Sequence, residues 1–311
     1  MKPIIQILAL IASAGTALAV TTPVAGYYQF VGKGGGNLFI PSVVNPAVFS
    51  GQLTAASATT LTPALSMTAD AYNKGLVYPT HYVEITSGPN AGVALDILSN
   101  TAAVITLIDN ISALSLTGTE TIKIRPHITL KSSLAAAEAL LNPYSDSATF
   151  YAIDGTFLTY FYGADGGTGW SSDYANPDGN LRPVPPGTGY VLGLVADVGL
   201  TVIGEVKDTP TVAMLGGGVV NIVGPMNPLV GTTVSLNTTG FADLAAYSDS
   251  ITVYQPGPLD TFVTYFPLGD GTISSDYGSA TTDTLANTTG AVVIPAVNSS
   301  VKLNSGFTVA P

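Results

Sequence analysis

Residues 144–147 read Tyr-Ser-Asp-Ser, and the same four residues return at positions 247–250, 103 positions later. Residues 171–174, Ser-Ser-Asp-Tyr, return at the same spacing as residues 274–277. Motifs that recur in the same order over such a length indicate a structural unit that occurs twice in the chain.

Two further matches extend the repeat and show where its copies differ. Residues 156–161, Thr-Phe-Leu-Thr-Tyr-Phe, correspond to residues 261–266, and the Gly-rich residues 34–40 correspond to residues 216–222 at a spacing of 182. Because this spacing exceeds 103, the first copy holds about 80 additional residues. The additional stretch, residues 51–126, has its own strand and turn patterns, so we expect a small β-domain inserted at a surface turn.

The N-terminus has the pattern of a secretory signal peptide. Lys2 is followed by an apolar run over residues 4–14 and by the small-residue pattern Ala-Leu-Ala at 17–19. The apolar run is too short to span a bilayer. We therefore expect cleavage after Ala19 and a secreted or cell-surface protein.

The sequence thus predicts four segments. They are a signal peptide at 1–19, a first β repeat at 20–50 plus 127–206, an inserted small β-domain at 51–126, and a second β repeat at 207–311.

Between these boundaries, short segments in which apolar and polar residues alternate are the most common pattern. Residues 81–86 alternate apolar and polar side chains, residues 87–92 are rich in turn formers, and residues 93–97 resume the alternation, which predicts a hairpin. We predict an all-β fold with two related β-sandwich-like repeats, the first interrupted by a small β-barrel-like domain.

One short helix is expected. Ser132 or Ser133 is a suitable N-cap for the alanine-rich run 134–141, and Pro143 ends it. Residues 240–246 form a possible shorter counterpart in the second copy.

The composition limits the class of function. The chain has 20 acidic and 9 basic residues, a net charge of −11 that repels phosphate backbones, so nucleic acid is excluded as a partner. It has no cysteine, which excludes disulfides and thiol nucleophiles. Only 9% of residues are charged, which fits an ordinary extracellular β-protein or a protein that buries much of its surface in an assembly.

The repeated motifs occur in a fixed order: the Gly-rich strand with its Asn-Pro pair, then Tyr-Ser-Asp-Ser, Thr-Phe-x-Thr-Tyr-Phe and Ser-Asp-Tyr. In this order they resemble a family of uncharacterised, secreted, repeat-containing β-proteins found mainly in Verrucomicrobia and related bacteria. The inserted segment 82–107, Trp170 and the Pro-Gly-Thr-Gly-Tyr turn at 186–190 fit this resemblance. The second copy departs from it, with Ile273 in place of the tryptophan and residues 288–291 in place of the turn. The resemblance implies export and architecture, and it implies no activity.

The aromatic segment of the first repeat allows two interpretations. Its rings can fill a core, as strand aromatics usually do. Alternatively, Tyr160, Tyr162, Trp170 and Tyr174, together with Asp173, form a surface platform on which sugar rings stack.

The acidic loop residues Asp165, Asp173 and Asp178 are weak candidates for calcium ligands, because oxygen-rich flexible loops can hold this ion. Their spacing matches no EF-hand, and Asp-Gly pairs are ordinary turn residues. No other cofactor is expected.

Little in the chain suggests catalysis. Its only histidines are His81 and His127, and it has no Gly-x-Ser-x-Gly motif for an activated serine. The four glutamates form no recognisable set, so we expect no enzyme.

The leading hypothesis is an exported, non-enzymatic structural protein of the cell surface, the extracellular matrix or a filament, which assembles with further copies through strand edges. The alternative is a carbohydrate-binding or adhesive module that uses the aromatic and acidic loop around Trp170, with extracellular glycans as partners. An exported hydrolase is a distant third interpretation, which requires paired carboxylates in a cleft.

Overall fold

The computed structural model describes residues 24–163, 169–173, 178–226, 233–255, 261–286 and 290–304. Strands make up 45% of the described residues and helices 8%, which confirms the predicted all-β class. Within the described part of the chain, no helix has the length and apolar character needed to cross a membrane.

The chain starts in the first repeat and then enters a closed six-stranded barrel. The first two strands are β1 (Ala25–Gly32) and β2 (Gly35–Phe39). The barrel strands are β3 (Phe49–Ala56), β4 (Thr60–Pro63), β5 (His81–Ile85), β6 (Ala94–Asn100), β7 (Ile105–Leu107) and β8 (Thr121–Pro126). They close in the order β3-β4-β7-β6-β5-β8. A 3-10 helix, Ser112–Leu114, lies between β7 and β8 along the chain.

The first repeat resumes after the barrel. Its remaining strands are β9 (Ile128–Thr129), β10 (Ser147–Tyr151), β11 (Phe157–Gly163), β12 (Gly169–Ser171), β13 (Pro183–Val184), β14 (Tyr190–Leu194) and β15 (Val198–Glu205).

The second repeat contains the last nine strands. They are β16 (Thr211–Leu215), β17 (Asn221–Val223), β18 (Thr233–Ser235), β19 (Ser250–Gln255), β20 (Thr261–Pro267), β21 (Ile273–Ser274), β22 (Thr284–Ala286), β23 (Ala291–Ile294) and β24 (Ser299–Leu303). Two 3-10 helices, Leu236–Thr238 and Phe241–Asp243, lie between β18 and β19.

The two repeats have the same strand topology. The five-stranded sheet of the first has the order β12-β11-β10-β14-β2, and that of the second has the order β21-β20-β19-β23-β17. Each repeat adds two two-stranded sheets, β1-β15 and β9-β13 in the first, and β16-β24 and β18-β22 in the second. Every strand of one repeat therefore has a counterpart in the other.

Each unit encloses a separate hydrophobic core. Tyr160 of β11 is fully buried in the core of the first repeat, and Tyr265 of β20 is its buried counterpart in the second. In the barrel, Val83 and Ile85 of β5 point into the core, as the alternating pattern predicted. Glu84 between them is also buried, which the pattern alone did not indicate.

The structure confirms the predicted short helix and corrects its position. The α-helix α1 covers Leu130–Leu134, and Thr129 caps it through a reciprocal pair of hydrogen bonds with Ser132. The alanine-rich run that follows is a 3-10 helix, Ala135–Leu140. The helix starts four residues earlier than predicted because Thr129, and not Ser132 or Ser133, satisfies the free backbone N–H group.

The Gly-rich strands of the two repeats align at a spacing of 184, two positions more than the sequence match suggested. Asn37 on β2 donates from Nδ2 to the backbone oxygen of Leu192 on β14, and Asn221 on β17 donates in the same way to Val293 on β23. The two asparagines are thus the structural counterparts.

Candidate functional site

The predicted sugar platform in the first repeat does not lie on the surface. The side chains of Tyr160, Tyr162 and Trp170 are buried, with exposures of 0%, 3% and 2%. Tyr174, the fourth predicted ring, lies outside the described residues. The three described rings therefore belong to the core, which agrees with the first of the two interpretations of this segment and not with an exposed platform.

Local structure explains why Trp170 is buried. It lies on β12 opposite Tyr162 of β11, with the two ring centroids 5.5 Å apart. Gly179 covers this region so closely that a Cβ there would lie 2.5 Å from the ring of Tyr160. Gly179 thus lies directly against the rings of the core.

The acidic residues of the same loop serve as local hydrogen-bond acceptors. Asp173 accepts from the hydroxyl of Ser171 at 2.8 Å, and Asp178 accepts from the backbone and hydroxyl of Ser172. Asp165 lies outside the described residues. Among the residues that the structure does describe, no three acidic or histidine side chains come together as a metal site.

The aspartates of the two Tyr-Ser-Asp-Ser motifs are buried structural residues. Asp146 accepts hydrogen bonds from the backbone N–H groups of Asn142 and Val195, both at 2.7 Å. Asp249 accepts equivalent bonds from Ala245 and Ala296, both at 2.8 Å. Each carboxylate thus ties the turn before β10 or β19 to the end of a neighbouring strand.

The tyrosines of these motifs, in contrast, lie on the surface. Tyr144 and Tyr247 are 59% and 63% exposed, and both have left-handed backbone angles, with φ of 62° and 59°. Tyr277, from the second Ser-Ser-Asp-Tyr motif, is 50% exposed and has φ of 60°. A left-handed backbone is unusual for bulky residues and is found most often where the surrounding structure or a function requires it.

In the second repeat these exposed rings form a cluster. The ring centroid of Tyr277 lies 4.6 Å from that of Phe266 and 6.1 Å from that of Tyr247, with interplanar angles of 22° and 26°. We refer to Tyr247, Phe266 and Tyr277 as the tyrosine surface. It is a stack of two exposed tyrosines and the half-buried Phe266, outside the hydrophobic core of the second repeat.

A network of buried charges joins the barrel to the segment between the repeats. Arg125 of β8 donates from Nε to Glu84 at 2.7 Å and from Nη2 to Glu205 at 2.6 Å. Lys207 lies 2.9 Å from the other oxygen of Glu84. All four side chains are buried, so each charge depends on the others for compensation.

The electrostatics of this network favour the ionised form of Glu84. Burial by itself raises the pKa of Glu84, but the charges of Lys207 and Arg125 and a hydrogen bond from the Thr209 hydroxyl outweigh it and lower the pKa to about 2. Burial lowers the pKa of Lys207, an effect that the carboxylate of Glu84 opposes. Glu84 is therefore ionised in the folded protein at all but strongly acidic pH.

A cleft of about 440 Å3 opens where the barrel and the two repeats meet. His127 lies in its wall, and its Nε2 is 2.9 Å from Asp96. The guanidinium of Arg182 lies over the rings of Tyr78 and Phe150, at 5.4 and 5.2 Å from their centroids. Acidic and basic side chains both line this cleft, so it suits a small polar molecule better than an apolar one.

Most of these residues belong to no recognisable sequence motif. Arg125, Glu84 and Glu205 are 41 and 80 positions apart along the chain, so no local pattern connects them. The sequence did single out the positions of Tyr247 and Tyr277, because both residues lie within the repeated motifs. The repeat identified the positions, but it did not distinguish the buried aspartate from the exposed tyrosine.

Comparison of the chain with models of protein families, with curated proteins and with solved structures found no match. The resemblance carried by the repeated motifs therefore stays a prediction, and the functional argument depends on the residues of this chain.

Proposed function

We propose that this protein is an exported structural subunit of the cell surface or extracellular matrix that assembles with further copies of itself through the edge of β1. The observation that carries the proposal is the ribbon of β1 and β15, each eight residues long, which pair only with each other among the named strands.

The outer face of this ribbon exposes no charged residue, and it exposes three large apolar side chains beside the polar pair Gln29 and Thr201. Tyr27 lies directly opposite Ile203, and these two residues and Val31 are 53%, 78% and 64% exposed. The inner face, which includes Tyr28 and Phe30, packs into the core of the first repeat. Natural proteins usually protect such edges with charge, proline or a covering segment, and an unprotected edge favours strand addition from another chain.

The second repeat provides an example of an occupied edge. Its β16 is the counterpart of β1 and forms a backbone bridge with the barrel, in which Val212 pairs with Val93 and donates its N–H to Gly92 at 3.1 Å. The same type of edge thus accepts a backbone segment from a neighbouring unit within this chain. Because β1 has no such bridge among the described residues, a second copy is the partner that we propose.

The test is sedimentation velocity over a range of concentrations, combined with electron microscopy of the mature protein. We expect wild-type protein to form oligomers, fibres or a lattice as its concentration rises. The double variant Tyr27→Lys/Val31→Lys places two charges on the outer face and should shift the protein towards the monomer. Val297→Lys, at a residue 67% exposed and outside the ribbon, is the matched control.

A wild-type protein that stays monomeric at every concentration, without fibres or lattice, would refute the proposal. The same conclusion follows if the double variant assembles as well as the control does.

A further inference from the structure

The tyrosine surface has no evident role in holding the fold together. Tyr247 and Tyr277 are at least half exposed, and neither hydroxyl forms a hydrogen bond with a described residue. The buried carboxylate of Asp249 already fixes the turn that contains Tyr247. An exposed ring contributes little to stability, because little apolar area leaves water.

The left-handed backbone at these positions is unfavourable for tyrosine. A left-handed conformation suits glycine or asparagine, whereas for a bulky side chain it is strained. The chain nevertheless places tyrosine at this position in both Tyr-Ser-Asp-Ser motifs, Tyr144 and Tyr247. The two copies differ elsewhere, for example where Ile273 replaces Trp170. Retention of the ring in both copies points to a role for the ring itself.

The chemistry next to the rings suits a neutral sugar. The flat face of a tyrosine stacks on the apolar C–H face of a pyranose, and its hydroxyl remains available for hydrogen bonding. Asp276, next to Tyr277, accepts bonds through Oδ1 from the Ser274 hydroxyl and from the backbone N–H groups of Gly278 and Ser279. Its Oδ2 accepts none from the described residues and is open to a ligand hydroxyl.

The charge of the chain narrows the class of ligand further. A net charge of −11 and the exposed carboxylate of Asp276 repel anionic polymers such as polyuronates and nucleic acid. A polymer of neutral sugars offers identical units along its length, which matches a motif that the protein presents twice. Two linked sites bind such a polymer more tightly than one, because the second contact is intramolecular.

We infer that the tyrosine surface, with Asp276, is a binding site for neutral polysaccharide, and that the surface around Tyr144 in the first repeat is a second site of the same kind. Tyr174, the counterpart of Tyr277 in the first repeat, lies outside the described residues. This inference is independent of assembly through β1.

The experiment is affinity electrophoresis of the mature protein in gels that contain β-glucan, galactomannan or xylan, with polygalacturonate as the anionic comparison. We expect retardation by at least one neutral polymer and none by polygalacturonate. Tyr247→Asn removes the ring and keeps a residue that tolerates the left-handed backbone. It should weaken binding about tenfold, and Tyr144→Asn/Tyr247→Asn should abolish it.

Three controls separate binding from folding and assembly. Tyr247→Phe keeps the ring and should bind nearly as well as wild type. Phe262→Thr removes an exposed ring from β20, outside the tyrosine surface, and should leave binding unchanged. Tyr27→Lys/Val31→Lys should still bind, which distinguishes this site from the assembly edge.

The inference is wrong if wild-type protein is retarded by none of the three neutral polymers. It is also wrong if the folded Tyr144→Asn/Tyr247→Asn protein binds like wild type, or if polygalacturonate binds more tightly than the neutral polymers.

Discussion

Arg125 and Glu84 are diagonal neighbours on the adjacent barrel strands β8 and β5, where Arg125 is opposite Tyr82 and Glu84 is opposite Lys123. Nε of Arg125 and Oε2 of Glu84 are 2.7 Å apart, and both side chains are fully buried. The same guanidinium reaches Glu205, which lies where the first repeat ends. One cation therefore links the inserted barrel to the segment that leads into the second repeat. Such a network determines how the units fit together, because any displaced member leaves a charge buried without a partner.

Glu84→Gln should destabilise the protein by about 3–5 kcal/mol, because Arg125 and Lys207 then lose the carboxylate that compensates them. Urea unfolding followed by circular dichroism measures this difference. Lys33→Ala is the matched control, since its ion pair with Asp197 is exposed and should contribute little to stability. Equal effects of the two substitutions would contradict the role given to the network.

The stability of the protein should fall in acid because of Glu84. Its pKa is about 2 in the folded protein against an ordinary value of 4.5, so its contribution is complete above pH 4.5 and is lost as the pH falls towards 2. The groups that face it are Arg125, Lys207 and the Thr209 hydroxyl. The shift corresponds to about 3 kcal/mol. Thermal unfolding between pH 2 and 7 should show this loss, and Glu84→Gln should reduce the slope in that window.

Asp146→Asn and Asp249→Asn should each cost about 1–3 kcal/mol, since an amide oxygen cannot replace two carboxylate oxygens that each accept a backbone N–H. Hydrogen exchange should show lost protection at Val195 in the first variant and at Ala296 in the second. Asp243→Asn, at an exposed position in the second repeat, is the control and should leave exchange at both residues unchanged.

Trp170→Ala should lower stability by about 3–5 kcal/mol, because the ring is a buried part of the first core. Binding of neutral polysaccharide per amount of folded protein should stay the same. A folded variant that loses sugar binding would instead restore Trp170 as part of a ligand site. Calorimetry and affinity electrophoresis of the same preparation separate these outcomes.

Gly189→Ala should destabilise the protein by more than 1 kcal/mol, because the new Cβ would lie 2.1 Å from the carbonyl oxygen of Phe39. The backbone N–H of Gly189 also donates to Ile222 in the second repeat, so the contact between the repeats should loosen. Gly199→Ala on β15 is the matched control, since no atom lies within 4 Å of its added Cβ. We expect its melting temperature to be unchanged or slightly raised.

Local patterns predicted many of the strands well. The hairpin around residues 87–92 is present as β5 and β6, because alternating side chains and a turn-forming segment determine a hairpin through neighbouring residues alone. The position of the helix was wrong by four residues, since the choice between Thr129 and Ser132 as N-cap depends on where β9 ends.

The repeat itself was visible in the sequence, and so was the all-β class, because periodicity and copied motifs are properties of the chain before it folds. The burial of Trp170, the network around Arg125 and the exposure of Tyr247 beside Tyr277 were decided only by the tertiary structure. Burial and pairing depend on segments that lie tens of residues away, and these distances are set only when the barrel and the two repeats pack together.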